Sequence, residues 1–482
     1  YRSQRDLACR MMQYYMGLPY IRLREQNSSD LIRNITADSN RCFVVILNLL
    51  QMTSELLISG VLVVYLVITD PVITILVVVI MCISMFLVLK FVKKKVSVLG
   101  QKDRYFEAQM NKCVLEAFGG VKEVKITHSE KFFMDDYYYK STRYAELHRK
   151  CDVLGIIPKQ VIEVVTIGSL MVSLTIRLLM GADPSTFIPI VSVFAVAAFR
   201  LLPSVNKIAS YINSIAFHLA SFNAIYESID EMREGNEEYI ENTENKPAVT
   251  LNDSFELKNL SFHYPDSDKN VIDGIDLILK KNESIAFIGP SGAGKTTLAD
   301  IILGVLAPQG GQMLVDGESI NDNIYNWQKR LGYIPQSIFL FDDNIRKNIA
   351  FGIPEDEIDD GMVWKALEEA QLKSFVEELP EGLETRIGER GARLSGGQKQ
   401  RIGIARALYY NPDILVLDEA TSALDNETEK AVMESIEKLQ GSKTMIIIAH
   451  RLTTVQHCDN IYEVKDGKVI HKDKEEIFGK KA

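Results

Sequence analysis

Long apolar stretches fill the chain up to about residue 235, and shorter ones punctuated by charge follow it. Residues 42–69 and 71–90 are each long enough to cross a hydrocarbon core of about 30 Å as helices rising about 1.5 Å per residue. They meet at Thr69-Asp70-Pro71, which predicts a tight helical hairpin. Two further spans are predicted over 156–180 and 186–216, less clean because they carry Lys159, Glu163, Arg177 and Arg200. The turn at 69–71 and the loop at 181–185 hold no Lys or Arg, whereas Lys93, Lys94 and Lys95 stand just past the second span. An excess of basic residues marks the cytoplasmic side, so 91–151 is predicted to be cytoplasmic. That segment is helical in pattern and reads as two spans prolonged into the cytoplasm, turning near Gly119-Gly120.

The pattern divides the chain into a transmembrane domain over 1–235, with cytoplasmic extensions at 1–41 and 91–151, and a second domain over 250–482. Between them, 236–249 is acidic and polar with no apolar face, as expected of a solvated linker. In the second domain short apolar strands (255–262, 284–288, 414–417, 444–448) alternate with helical stretches, the signature of an α/β fold. No internal repeat is visible.

Composition sharpens this picture. Across 482 residues, 47% are hydrophobic and 24% charged, and the net charge is −10. Those values exclude a collagen, a disordered tail, a small disulfide scaffold and a basic nucleic-acid module. A mean hydropathy of +0.01 is the average of an oily half and a charged half. The six cysteines, Cys9, Cys42, Cys82, Cys113, Cys151 and Cys458, form no C-x-x-C pair, so neither a zinc site nor a redox motif is suggested.

The strand at 284–288 runs into Gly289-x-x-x-x-Gly294-Lys295-Thr296, after which a helix opens. This is a phosphate loop in its required context. Glycine lets the backbone N–H groups of the loop, through Ser291 and Gly292, close on phosphate oxygens, and the helix N-terminus adds positive potential. Lys295 reaches the β- and γ-phosphates, and the Thr296 hydroxyl, beside Thr297, ligates Mg²⁺. The later run Ile414-Leu415-Val416-Leu417-Asp418-Glu419 is a buried strand ending in two carboxylates. Asp418 is placed to hold Mg²⁺ through water, and Glu419 to polarise an attacking water.

Leu394-Ser395-Gly396-Gly397-Gln398, about twenty residues before that strand, resembles the signature motif of ABC-transporter ATPases. The resemblance covers about residues 250–472. Tyr264 matches the adenine-stacking aromatic and Gln336 the Q-loop glutamine, which implies a catalytic role and a contact to Mg²⁺. Gly388-Glu389-Arg390-Gly391 resembles the segment that contacts coupling helices in exporters. Ser422-Ala423-Leu424-Asp425 matches the D-loop, and His450 the switch histidine. The family's logic then implies that ATP binds between two chains, with Ser395, Gly396, Gly397 and Gln398 of one facing the γ-phosphate held by the other. Since one chain carries one loop and one signature, a homodimer with two competent sites is implied.

A membrane half joined to a C-terminal ATPase resembles an exporter-type ABC half-transporter, a multi-pass protein of the inner or plasma membrane with a cytoplasmic ATPase. That family has six spans per chain. The four found here then correspond to spans three to six, and residues 1–41 to the cytoplasmic part after span two. With Tyr1 rather than Met first, two spans are expected to precede this sequence. Coupling helices are expected near 27–34 and 113–122, resting in an ATPase groove lined partly by the Gln336 region. The string Phe199-Arg200-Leu201-Leu202-Pro203-Ser204-Val205-Asn206 resembles the final span of bacterial lipid-linked oligosaccharide flippases. This suggests a polyprenyl-diphosphate-linked sugar as cargo, with peptides or hydrophobic small molecules as the alternative. A guanidinium in a span is costly and suits diphosphate binding, which nominates Arg200, with Lys159 as a second basic contact. The competing role for Arg200 is a structural ion pair with Glu55 or Glu163, and for Lys159 a snorkelling position at the interface.

Overall fold

The structure, a computed structural model, describes residues 2–179, 184–235, 246–267, 269–418, 426–449 and 455–478. It divides into two compact units, Tyr1–Leu18 with Arg22–Glu237, and Pro19–Ile21 with Glu238–Ala482.

The helical elements are α1 (Arg2–Gly17), α2 (Tyr20–Glu25), α3 (Ser28–Arg33), α4 (Ser39–Thr69), α5 (Pro71–Gly119), α6 (Val121–Ile126), α7 (Glu130–Leu179) and α8 (Pro184–Gly235). A π-helical turn, Asn34–Asp38, joins α3 to α4. Among the described residues four helices are long and apolar enough to cross a membrane, within Ser28–Thr69, Pro71–Gly119, Glu130–Val172 and Val191–Met232. These agree with the four spans expected. With 49, 50 and 52 residues, α5, α7 and α8 are each about 75 Å long, so each far exceeds one hydrocarbon core. The loop expected at 181–185 falls largely outside the described residues, as do 236–245 of the expected linker.

The hairpin between α4 and α5 is encoded locally. Asp70 is extended and caps α5, its carboxylate accepting from the N–H groups of Val72 and Ile73, with Pro71 in the first turn. The Thr74 hydroxyl donates back to the Leu66 carbonyl at 2.9 Å. The short helices at the other end differ from expectation in one place. Residues 27–34 hold α3, capped by Asn27, but 113–119 complete α5, and the separate short helix is α6 at Val121–Ile126. The helix runs on because nothing before Gly119-Gly120 breaks it.

The long helices pack through separate small apolar clusters. One joins Val92 and Val96 of α5 to Ala216 and Phe217 of α8, with Cys151 and Leu154 of α7 against it. At Gly100 the backbones of α5 and α8 nearly touch, and a Cβ there would lie 1.8 Å from the Phe217 carbonyl oxygen. Beside this contact lies a buried ionic cluster. Asp38, fully buried, accepts from Arg33 Nε at 3.1 Å and Arg104 Nε at 2.8 Å. Arg41 reaches Asp103 at 3.0 Å and Glu107 at 2.8 Å, and His148 Nε2 lies 2.7 Å from Asp103. Charge thereby ties α3, the π-turn, α4, α5 and α7.

The second unit contains two sheets. The smaller is antiparallel, in the order β2 (Ile272–Lys280), β1 (Ser254–Phe262), β4 (Gly310–Val315), β5 (Glu318–Ser319). The larger runs β10 (Lys468–Lys472), β9 (Asn460–Lys465), β3 (Ser284–Ile288), β8 (Thr444–Ile448), β7 (Ile414–Asp418), β6 (Leu331–Ile334), and is parallel except at β10. Its helices are α9 (Lys295–Ile302), α10 (Ile324–Gln328), α11 (Ile345–Ile349), α12 (Asp360–Glu369), α13 (Lys373–Glu377), α14 (Gly396–Leu408) and α15 (Asn426–Glu437). The central strands are apolar except at Ser284, Thr444 and Asp418 at their ends, because both faces are covered. Alternate residues enter opposite cores: Leu415, Leu417, Met445 and Ile447 one, and Ile414, Val416, Ile446 and Ile448 the other. The strands expected at 255–262, 284–288, 414–417 and 444–448 match β1, β3, β7 and β8 to within a residue.

Candidate functional site

In a parallel sheet the loops leaving the carboxyl ends of the strands share one edge, where ligands bind. Here β3 delivers the glycine loop, β7 delivers Asp418 and β6 delivers Gln336. Register makes the relation explicit: Phe287 of β3 and Asp418 of β7 both pair with Ile448 of β8. Two strand spacings of about 4.8 Å therefore separate the end of β3 from Asp418. One strand further on, Ile334 of β6 pairs with Leu417, two residues before Gln336.

The glycine loop is shaped by two positions at which no side chain fits. Gly289 has φ +144°, and a Cβ would stand 2.4 Å from the Val464 carbonyl oxygen. Gly294 has φ +101° and lies 3.1 Å, on the same reckoning, from the Val271 carbonyl. Between them Ser291 and Gly292 are exposed, on the open side of the loop. Lys295 opens α9 and is 4% exposed, its ammonium donating to the carbonyls of Gly289 at 2.9 Å and Pro290 at 3.1 Å. It is thus held over the mouth of the loop. Thr296 is exposed beside it, while Thr297 is buried with its hydroxyl 3.1 Å from that of Tyr264. That contact, and an edge-on packing against Phe262, fixes the ring of Tyr264 at the rim of the loop.

Asp418 is buried at the end of β7. Two residues not singled out in the sequence stand by it. Burial, and then the negative charges of Asp418 and Asp300, push the Tyr333 hydroxyl up to about 12. Alternation in β6 was the only available signal, since it turns Tyr333 away from the core that receives Ile334. Thr296, Gln336 and Asp418 form an oxygen-only donor set, which suits a hard cation such as Mg²⁺. Among the described residues no group of three or more His, Cys, Asp or Glu is arranged to hold a metal, so a cation here would rely on hydroxyl, amide and phosphate oxygens beside Asp418.

The signature segment begins α14. Ser395 is its N-cap, accepting from the Gln398 N–H at 3.3 Å, while the Gln398 side chain accepts from the Ser395 N–H at 2.8 Å. This reciprocal cap fixes the helix start and leaves Gly396 exposed and Gly397 buried. Three expected site residues, Glu419, Asp425 and His450, lie outside the described residues.

In the helical unit Arg200 on α8 and Lys159 on α7 are both exposed. The expected partner Glu55 instead takes Lys207 at 2.7 Å. Among the described residues neither Arg200 nor Lys159 makes an ion pair.

The ABC transporter family profile matches residues 272–422, which contain the glycine loop, the signature and Asp418. The ATP-dependent lipid A-core flippase of Cupriavidus pinatubonensis is 33% identical over 74% of this chain and 60% of its own length. The flippase of that name from Ralstonia nicotianae is 28% identical over 96% of this chain and 78% of its own length. The ABC transporter BEA3 of Gibberella fujikuroi is 44% identical over 45% of this chain, but this match spans only 17% of that larger protein. The chain thus spans less than two thirds of the length of several relatives it matches. A solved structure of a bacterial Atm1-family ABC exporter with ATP bound superposes with a TM-score of 0.82 at 24% identity, covering 100% of this chain and 83% of that one, a likeness of fold.

Proposed function

We propose that this chain is an exporter-type half-transporter of the ABC transporters, and that it hydrolyses ATP to export or flip an amphipathic lipid across the inner or plasma membrane, working as a homodimer with its ATPase units in the cytoplasm. The observation that carries the reading is the meeting of a glycine loop, Gln336 and Asp418 at one sheet edge, in a chain whose described residues include four membrane-capable helices.

The loop N–H groups and Lys295 bind the β- and γ-phosphates, and Tyr264 stacks on adenine. Thr296 and Gln336, with Asp418 through water, would hold Mg²⁺, which when bound would neutralise charge on the phosphates. Glu419 orients and deprotonates the attacking water, and His450 contacts the γ-phosphate. Ser395, Gly396, Gly397 and Gln398 of a second copy close over the nucleotide, with Asp425 at the same junction, so ATP stabilises the closed dimer by touching both surfaces. Hydrolysis removes the bridging phosphate and loosens it. Segments 27–34 and 113–122 pass that movement to the spans.

For cargo, relatives named lipid A-core flippases support a lipid-linked glycan, and the exposed Arg200 and Lys159 supply cations for a diphosphate. The test is ATPase activity of the full-length protein in proteoliposomes, with and without a polyprenyl-diphosphate-linked oligosaccharide. Stimulation that disappears in Arg200→Ala is expected. Undiminished stimulation in that variant removes Arg200 from the cargo site, and stimulation by hydrophobic peptides or drugs alone replaces the lipid reading.

A further inference from the structure

Between α5 and α7 runs a groove of about 640 Å³ that no part of the proposed transport cycle uses. Its floor is Val98 and Leu99 of α5 with Val153 and Leu154 of α7, and its rim is Lys94, Lys95, Arg149 and Lys150. All four rim cations are exposed, and among the described residues none has an ion-pair partner. In the two segments that build the groove, 94–99 and 149–154, Asp152 is the one acidic residue, leaving a net charge of +3.

Depth identifies what this combination fits. If α5 enters the hydrocarbon at Pro71 and leaves it near residue 90, Lys94 and Lys95 stand about 6–8 Å beyond the boundary. On α7, Arg149 and Lys150 precede the span by about 9–10 Å. A headgroup layer is about 5–8 Å thick on each side, and long basic side chains reach several ångströms toward it. The rim is therefore level with lipid phosphates. Val153 and Leu154, about 3–5 Å before the α7 span, are level with the glycerol backbone and first methylenes, whereas Val98 and Leu99, about 12–14 Å past the end of the α5 span, lie on the cytoplasmic side of the rim.

We propose that this groove binds one anionic phospholipid of the cytoplasmic leaflet, its phosphate on the Lys94, Lys95, Arg149 and Lys150 rim and its glycerol region against Val153 and Leu154 of α7. Basic pockets between spans on the cytoplasmic side are suited to such headgroups. The occupant joins α5 to α7 at the base of two spans and is distinct from the transported lipid. The inference rests on the membrane reading of the preceding section.

The test uses the full chain in phosphatidylcholine nanodiscs carrying a small fraction of photoactivatable phosphatidylglycerol or photoactivatable phosphatidylcholine. Expected is labelling of peptides covering 94–99 and 149–154 by the anionic probe, about tenfold above the zwitterionic one and undiminished by millimolar inorganic phosphate. A variant with Lys94, Lys95, Arg149 and Lys150 all changed to Gln is expected to lose that preference while retaining ATPase activity. Equal labelling by the two probes, labelling confined to other segments, displacement by free phosphate, or an unchanged preference in the variant each overturns the proposal. Failure of the chain to enter nanodiscs at all would instead overturn the membrane reading, so the two failures are distinguishable.

Discussion

Glu419 follows Asp418 directly, and the two carboxylates divide the chemistry expected at the end of β7: one held for a cation, one for water. Glu419→Gln keeps the shape and removes the base. Its kcat is expected to fall by about 10²–10⁴, the usual contribution of a general base, while ATP binding persists. Wild-type turnover by this variant, measured as phosphate release, would reassign the base. Gly289 makes a separate demand on the site. Gly289→Ala would combine a positive φ of +144° with a carbonyl contact at 2.4 Å, so the loop must shift. Nucleotide affinity is expected to drop about 5- to 150-fold, by analogy with about 1–3 kcal/mol of local strain. Isothermal titration with a non-hydrolysable nucleotide reads this directly, and unchanged affinity would show that the loop tolerates the displacement.

At the scale of elements, two contacts set the helical unit. Gly100 lets α5 and α8 meet backbone to backbone, so even Gly100→Ala must push them apart. The expected outcome is a loss of about 1–3 kcal/mol in thermal stability, the cost of overpacking; an unchanged melting temperature in detergent would show that the helices separate freely. The ionic cluster gives a prediction with a sign. Burial alone would raise the Asp38 carboxyl, but hydrogen bonds from Ser221 and Arg104 and the charges of Arg104 and Arg33 outweigh it, holding it below the ordinary carboxylate range. Its stabilisation is present above the unfolded value of about 3.9 and lost as pH falls through the folded one. Asp103 and Glu107 behave oppositely, because burial raises them despite the nearby Arg41, so their protonation in acid favours the fold. Asp38→Asn is expected to cost about 3–5 kcal/mol near neutral pH, since it leaves Arg33 and Arg104 facing a neutral amide. That difference from wild type should shrink toward pH 3 in thermal unfolding; a difference independent of pH would remove the carboxylate charge from the explanation.

For the whole molecule, one glycine loop and one signature in each chain require a second copy for a complete site under the proposed cycle. Glu419→Gln with ATP is therefore expected to accumulate as a closed dimer, and the same variant without nucleotide is not. Cysteine cross-linking between engineered signature and loop positions, in the full-length protein, checks this. Cross-linking that ignores ATP would uncouple dimer closure from the nucleotide.

The sequence was enough for whatever depends on local chemistry and periodicity. Unbroken apolar length announced the four membrane-capable helices, Asp70-Pro71 the hairpin, and glycine spacing the phosphate loop, because backbone conformation and hydrophobic burial are properties of short stretches. The turn near Gly119-Gly120 was legible, because nothing before it breaks α5, but the short helix expected near 113–122 begins only after it, at Val121. The sequence offered Glu55 or Glu163 as a partner for Arg200, and the ion pair that Glu55 makes in the fold is with Lys207. Only tertiary structure brought Asp38, Arg104, Asp103 and His148 together, placed Tyr333 beside Asp418, pressed Gly100 against Phe217, and set two lysines of α5 across a groove from Arg149 and Lys150 of α7. Those residues lie far apart along the chain, and no periodicity carries information about which distant surfaces close packing will oppose.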